Sequence, residues 1–183
     1  FYYFCKQLEF WQQHPLRLIG ASAQKYSQTT SFLPQGGGQE GALSTRQLYK
    51  TMAKREYIQT NKKWLEDKAK EEGVKALPKG IYYKVISEGN NDGKHPTPRS
   101  IITAHYSGWT INGKKFDSSR GGAPLAVRLC DLIEGWIIAM QQMCVGDKWE
   151  IYIPSEMGYG KFSQPGIPGG STLIFEIELI AIS

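Results

Sequence analysis

The sequence predicts an α+β domain: a twisted antiparallel sheet with one short amphipathic helix across a face. Three observations carry this. First, "KWEIYIP" and "STLIFEIELIAI" alternate: Trp149, Ile151 and Ile153 oppose Lys148, Glu150 and Tyr152, and Leu173, Phe175, Ile177 and Leu179 oppose Ile174, Glu176, Glu178 and Ile180. That period of two marks antiparallel strands with one buried face. Second, Asn112-Gly113 follows the strand-like "SIITAHYSGW", the strongest short signal for a hairpin. Third, Ile133, Trp136, Ile137, Met140 and Met143 form a helical stripe between the strands. Strands with a single helix among them make an α+β layer pair.

The elements follow in order. Residues 1–51, with "SAQKYSQTTSFLPQGGGQEGALST", are rich in Ser, Thr, Gln and Gly and show neither period. They read as a disordered or non-native extension, with Met52 as an alternative start. "MAKREYIQTNKKWLEDKAKEEG" reads as a helix: Ile58, Leu65 and Ala69 share a stripe with Tyr57 and Trp64 beside it. Lys62/Glu66, Lys63/Asp67, Glu66/Lys70 and Lys68/Glu72 are opposite charges four apart, and Gly73 is a suitable stop. Residues 52–79 therefore form a charged helix and linker, and 80–183 the main domain. Within it "GIYYKVISEG" is a strand, "NNDGKHPTPRS" a loop broken by Pro96 and Pro98, and Asp131 with Glu134 an acidic capping box before the second helix.

Composition excludes several classes. The chain has 183 residues and a formal charge of +5, spread thinly. Residues 1–51 hold five Lys/Arg against two acids, 52–73 six against five, and 74–183 eleven against ten. A nucleic-acid binder concentrates basic charge on one face, so that partner is not expected. Cys5, Cys130 and Cys144 are far apart with no CxxC pair, which suggests neither a zinc site nor a disulfide framework. Cys144, in apolar surroundings, reads as a buried free thiol. No apolar run is long enough to span a membrane, and no signal peptide is recognisable at the start given.

The chemistry gathers in "HYSGWTINGKKFDSSRGGAP", where Asp117 sits among aromatics. No second acid, His or Cys stands at a catalytic or metal-binding spacing. Strict alternation from Phe116 turns Asp117 to the opposite face, so the strand must end or bulge there. His105, beside Tyr106, points away and reads as a surface or cap residue; His14 and His95 fall in loops without evident partners. Trp136, Phe175 and Ile133, taken singly, are better explained by a core than by a pocket.

Taken together, "AHYSGWTINGKKFDSS", "PLAVRL", "DLIEGWIIAMQQMCVGDKWEIYIPSEMGYG" and "IPGGSTLIFEIELI", in this order, resemble the FK506-binding-protein (FKBP-type) family of peptidyl-prolyl cis–trans isomerases over about residues 80–182. The lead-in "NKKWLEDKAKEEGVKALPKGIYYKVISEG" is similar to that of bacterial members. The resemblance implies a half-barrel of five or six antiparallel strands around the short helix. It implies catalysis of rotation about X–Pro bonds during protein folding; the alternative is a non-catalytic proline-peptide or chaperone module of the same fold.

The resemblance also implies a site. Tyr106, Asp117 and Tyr159 would be its catalytic residues, with Phe116, Leu132, Ile133, Trp136, Ile167 and Phe175 binding substrate. Trp136 would form the floor, Tyr106, Phe116 and Phe175 the walls. Tyr159 and the Ile133 backbone N–H would bond peptide carbonyls. Asp117 would accept a hydrogen bond from Tyr106 or a neighbour and not act as a base. No metal or cofactor is expected, because bond rotation transfers neither electrons nor protons.

The implied partners are proline-containing polypeptides and macrolides such as FK506 or rapamycin. A homodimer through the Tyr57–Ala69 stripe is an option, packing back on the domain another. The expected compartment is the cytoplasm, or an exported one (the periplasm) if a leader precedes the sequence. Departures from the family pattern fall at Leu125 and Val127, where an aromatic is common, and at Arg120-Gly121-Gly122, where Arg120 becomes the candidate partner for Asp117.

Overall fold

In the computed structural model, which describes residues 44–90 and 93–183, the first element is helix α1, Thr45–Lys68. Its start is set by a capping box: the Gln47 N–H donates to Ser44 Oγ at 3.3 Å, and the Ser44 N–H donates to Gln47 Oε1 at 3.0 Å. The helix thus begins seven residues before Met52, inside the segment read as extension; the rest of that segment lies outside the described residues. It ends at Lys68, and Gly73 (φ +80°) closes the turn beyond. Among the described residues, the ion pairs internal to this segment are Lys68–Glu71 at 2.8 Å and Asp67–Lys70 at 3.3 Å, three residues apart rather than four, while Lys62 reaches Glu156 at 3.8 Å. Such exposed pairs contribute little.

The other face of α1 carries its energetics. Leu65 and Asn61 are buried, and Trp64 packs edge-on to Tyr152 at 5.9 Å. Lys68 Nζ stands 5.3 Å from the Tyr152 ring. Within the Tyr57–Ala69 stripe, one option for a dimer contact, Asn61 and Leu65 are buried and Tyr57 and Trp64 half-buried against the chain's own loop and sheet.

After α1 come β1 (Val74–Leu77), a 3-10 turn at Pro78–Gly80, β2 (Ile81–Ser87), β3 (Ile101–Thr110), β4 (Lys115–Ser118) and β5 (Leu125–Arg128). A 3-10 turn at Leu129–Asp131 leads to helix α2 (Glu134–Met140), then β6 (Lys148–Ile153), a 3-10 turn at Ser155–Met157, and β7 (Leu173–Ile182). The antiparallel sheet runs β1-β2-β6-β7-β3-β4, with β5 also paired to β3. The α+β class holds; the sheet has seven strands rather than five or six, because the short β1 extends one edge. The hairpin turns at Asn112-Gly113 as predicted, with Gly113 at φ +73° and its N–H on Thr110 O at 2.9 Å.

The core lies between the sheet's inner face and α2. Ile151, Ile153, Leu173, Phe175, Ile177 and Leu179 meet Trp136, Ala139 and Met140 there, all buried. Ile133 and Ile137, placed on the same stripe by sequence, are only half-buried. Gly135 permits the close approach: a Cβ on it would stand 2.5 Å from Ile153 Cγ2. Tyr152, on the outer face of β6, is also buried, because α1 covers it.

The expected Asp131 capping box is not formed. Asp131 ends the 3-10 turn, the N-cap is Ile133 in extended geometry with no side-chain cap, and Glu134 pairs with Lys79 instead. The buried carboxylate is Asp147. Its Oδ1 accepts the Gly89 N–H at 2.7 Å and its Oδ2 the Cys144 N–H at 2.8 Å, tying the end of β2 to the turn before β6. Asp147→Ala orphans both donors and should cost about 2–4 kcal/mol in denaturant unfolding at neutral pH. A change below 0.5 kcal/mol would show that water replaces the carboxylate. The adjoining Cys144 is buried and in no disulfide; His95, exposed, has its Nδ1 3.1 Å from Met143 O and 3.8 Å from Cys144 Sγ, so it is not without partners.

Candidate active site

The site begins with an irregularity in β3–β4 pairing. Gly108 pairs with Asp117, but Trp109 pairs with Lys115, which leaves Phe116 as the extra residue of a β-bulge. A bulge breaks the strict alternation of sides. Asp117 can therefore serve the same face as Phe116, and the hydrogen bonds show that it does.

Tyr106 Oη donates to Asp117 Oδ2 at 2.7 Å, while Asp117 Oδ1 accepts the Ser118 N–H at 2.8 Å. Both carboxylate oxygens thus hold donors, and a charge-assisted bond of this length is strong. Arg120 does not reach Asp117. It bridges Glu176 and Glu178 on β7, both at 3.1 Å, and Lys148 joins Glu176 at 3.0 Å. His105 Nδ1 lies 3.1 Å from Ser119 Oγ, whose oxygen accepts the Tyr106 N–H at 2.9 Å, a local cap on the strand.

Four rings converge beside this carboxylate. Trp136, fully buried on α2, meets Tyr106 edge-on at 5.3 Å and Phe175 at 5.2 Å with an interplanar angle of 87°. Phe116 stands edge-on to Phe175 at 5.5 Å. These separations lie in the favourable range for aromatic pairs. The arrangement depends on register: Gly108 on β3 lies opposite Phe175 on β7, and Tyr106 lies opposite Ile177.

Gly108 itself was not singled out from sequence. A Cβ there would stand 2.6 Å from Phe116 Cζ and 2.8 Å from Phe175 Cε1, so only glycine lets both rings close over the strand. Gly108→Ala should shift both rings and cost about 1–3 kcal/mol of stability. It should also blunt binding of a proline peptide, read by titration of intrinsic tryptophan fluorescence. Unchanged stability and binding would mean that the rings have slack.

The remaining residues come from the start of α2 and the long β6–β7 loop. The Ile133 C=O accepts the Trp136 and Ile137 N–H groups at 3.0 and 3.2 Å, while its own N–H donates to no described residue. Leu132 is buried, but it walls a groove along α2 with Pro78, Lys79, Ile137 and Gln141, in which none of the four rings takes part. In the loop, Ile167 is buried and exchanges backbone bonds with Gln164 at 2.8 and 2.9 Å. The preceding turn residue, Gly166, lies against Phe116: a Cβ on it would be 3.5 Å from Phe116 Cβ. Tyr159 is close enough to sense Asp117. Its phenol is pushed up to about 12, first by burial and then by the Asp117 charge.

The structure therefore joins Tyr106, Phe116, Asp117, Trp136 and Phe175 by direct contact. Tyr159 and Ile167 border them through the loop.

Comparison with known proteins bears on this arrangement. The chain superposes on the crystal structure of a peptidyl-prolyl cis–trans isomerase from Pseudomonas syringae pv. tomato with a TM-score of 0.66 and 32% identity, covering 70% of this chain and 95% of that one. The chain belongs to the FKBP-type peptidyl-prolyl isomerase family. The model of the FKBP-type isomerase matches residues 92–180, and that of the domain amino-terminal to it matches residues 20–85.

Relatives of this FKBP-family chain include the FKBP-type 22 kDa peptidyl-prolyl cis–trans isomerase of Escherichia coli K12, 42% identical over 122 residues, which cover 66% of this chain and 58% of the relative. The Outer membrane protein MIP of Legionella longbeachae is 37% identical over 143 residues, covering 72% and 60% respectively. The chain thus spans little more than half the length of these curated relatives. The amino-terminal match overlaps the segment first read as a non-native extension, and the name of the second relative gives the cytoplasmic expectation no support. Among the described residues no helix is long and apolar enough to cross a membrane.

Proposed function

We propose that this chain accelerates cis–trans rotation about X–Pro bonds in polypeptides by taking the proline ring into the cup of Tyr106, Phe116, Trp136 and Phe175. The observation that carries the reading is the packing of Trp136 under both Tyr106 and Phe175, with the Tyr106–Asp117 bond at its edge. The barrier to rotation, roughly 18–20 kcal/mol, comes from amide resonance. The twisted amide has lost that resonance and is the less polar form. A water-poor aromatic site therefore holds it better than the planar ground state, which is catalysis by differential binding. Each tenfold acceleration asks about 1.4 kcal/mol of this preference.

In this reading no proton moves. Asp117 fixes the Tyr106 ring, Tyr159 stays a neutral donor at physiological pH, and the Ile133 N–H meets a peptide carbonyl. FK506 and rapamycin compete for the same cup. Proline-containing segments of other proteins are the substrates, and the exported alternative is the compartment that the name of the Legionella relative favours.

The test is a protease-coupled assay on an X–Pro tetrapeptide. A kcat/KM on the order of 10⁴ M⁻¹s⁻¹ or higher supports the reading. Binding of the peptide without acceleration at micromolar protein replaces it by the proline-binding module of the same fold.

A further inference from the structure

Beyond the cup lies a connection that the sequence does not show. The geometry points to α1 as a brace for the β6–β7 loop, with Asn61 as a positioning residue for the proposed isomerase reaction, and this rests on the reading above. The loop, residues 154–172, carries Tyr159 and Ile167. An irregular segment of that length is mobile unless it is tied. Most of its internal bonds close local turns, such as the Met157 N–H on Pro154 O at 3.0 Å, the Gly160 N–H on Ser155 O at 2.7 Å and the Gln164–Ile167 pair. Longer reach comes from the Gly170 N–H on Gly160 O at 2.8 Å and the Gly169 N–H on Ser163 Oγ at 3.0 Å.

Further ties come from α1, among them the exposed Lys62–Glu156 ion pair at 3.8 Å. Asn61 Oδ1 accepts the Thr172 N–H at 2.8 Å, and the Asn61 backbone oxygen accepts Thr172 Oγ1–H at 3.3 Å. Asn61 Nδ2 donates to Tyr57 O at 2.9 Å, which locks the side chain in place. Four residues earlier, Tyr57 Oη lies 2.8 Å from Ser171 Oγ. Between them Ile58 rests on Gly170, where φ is +87° and a Cβ would stand 2.5 Å from Ile58 Cγ1.

These contacts form a short chain to the site. α1 seats Gly170, Gly170 bonds Gly160, and Gly160 follows Tyr159.

Helix packing alone does not account for Asn61. It is 1% exposed, in the middle of a 24-residue helix, where Asn is a poor helix former and a buried amide must be satisfied. Leu or Ala would suit the helix better. The residue type fits a position that must accept the loop's backbone N–H and hold itself rigid while doing so. A group placed by packed neighbours keeps its productive geometry, and a displacement of about 1 Å can cost on the order of a hundredfold in rate.

The experiment uses the full chain and four variants: Asn61→Ala, Asn61→Asp, Tyr57→Phe and the Tyr57→Phe/Ser171→Ala pair. Two readouts are taken together, kcat/KM on an X–Pro tetrapeptide and amide hydrogen exchange across the loop and the sheet. Asn61→Ala should lower kcat/KM by about five- to twentyfold. It should speed exchange within residues 159–172 by about tenfold or more, while β3 and β7 keep their protection.

Asn61→Asp retains an acceptor for Thr172 but loses the donor to Tyr57 O and buries a carboxylate beside that carbonyl, so it should recover only part of the loss. Tyr57→Phe should lower kcat/KM by about two- to fivefold; the pair with Ser171→Ala should lose somewhat more, because Ser171 Oγ–H also donates to Pro168 O within the loop. Wild-type kcat/KM and loop exchange in Asn61→Ala would overturn the brace. So would exchange that rises equally in loop and sheet, which is general destabilisation. If the wild-type chain lacks isomerase activity, the proposed function fails by itself, and the exchange readout still decides the brace.

Discussion

Trp136→Ala should lower the unfolding free energy by about 3–5 kcal/mol, the cost of removing a large buried side chain with little room to collapse. The site explains the size. Trp136 is fully buried and contacts Tyr106 and Phe175 edge-on, so its loss opens a cavity under two walls at once. Denaturant unfolding at constant m reads this directly. Trp136→Leu separates support from chemistry: it refills part of the volume and should recover about half of the stability. It removes the ring that the proline would meet, so kcat/KM should stay depressed by about tenfold or more, equivalent to about 1.4 kcal/mol of lost preference. If the Leu variant recovered stability and activity together, the indole would be only a filler and the aromatic cup would not be what favours the twisted amide.

What could be read from the sequence was what periodicity encodes. The strands β6 and β7, the Asn112-Gly113 hairpin and the stripe of α2 each show their period locally. The set Tyr106, Phe116, Asp117, Trp136 and Phe175 was implied by the family resemblance, and the structure brings these five together. What could not be read depended on contacts between distant segments. Tyr152 sits on the polar side of an alternating strand, yet it is buried because Trp64 arrives from α1. Asp131 looks like a cap, but a 3-10 turn intervenes and Glu134 pairs with Lys79. Arg120, three residues after Asp117 and the candidate partner for it, is drawn to two glutamates on β7. The capping box of Ser44 and Gln47 was legible, since Ser-x-x-Gln is its signature; the Ser/Gln/Gly-rich composition around it masked the signal.

The second large effect falls on Asp117. In the native chain its two oxygens take two donors, Tyr106 Oη–H and the Ser118 N–H. Asp117→Leu leaves both without an acceptor. A buried unsatisfied donor costs about 1–3 kcal/mol, and if Tyr106 turns away from the cup to recover a partner, kcat/KM should fall by roughly 5- to 150-fold. Asp117→Asn offers one acceptor oxygen for two donors, so its loss should be smaller.

The Asn variant also isolates the charge. The Tyr159 phenol is pushed up to about 12 by burial first and by the Asp117 carboxylate second. Removing the charge relieves only the second cause. The midpoint should therefore fall below about 12 yet stay above the ordinary 10, read from phenolate absorbance as the difference against Tyr159→Phe. The sign for stability follows. An unfolded tyrosine ionises near 10 while the native Tyr159 still holds its proton, so the native state binds more protons there. The stabilising contribution is complete below pH 10 and drains away as pH rises towards about 12; in Asp117→Asn this window narrows from its upper end. An unmoved Tyr159 midpoint would show that the two side chains do not share a site, and the reading of Asp117 as the polar edge of the cup would fall with it.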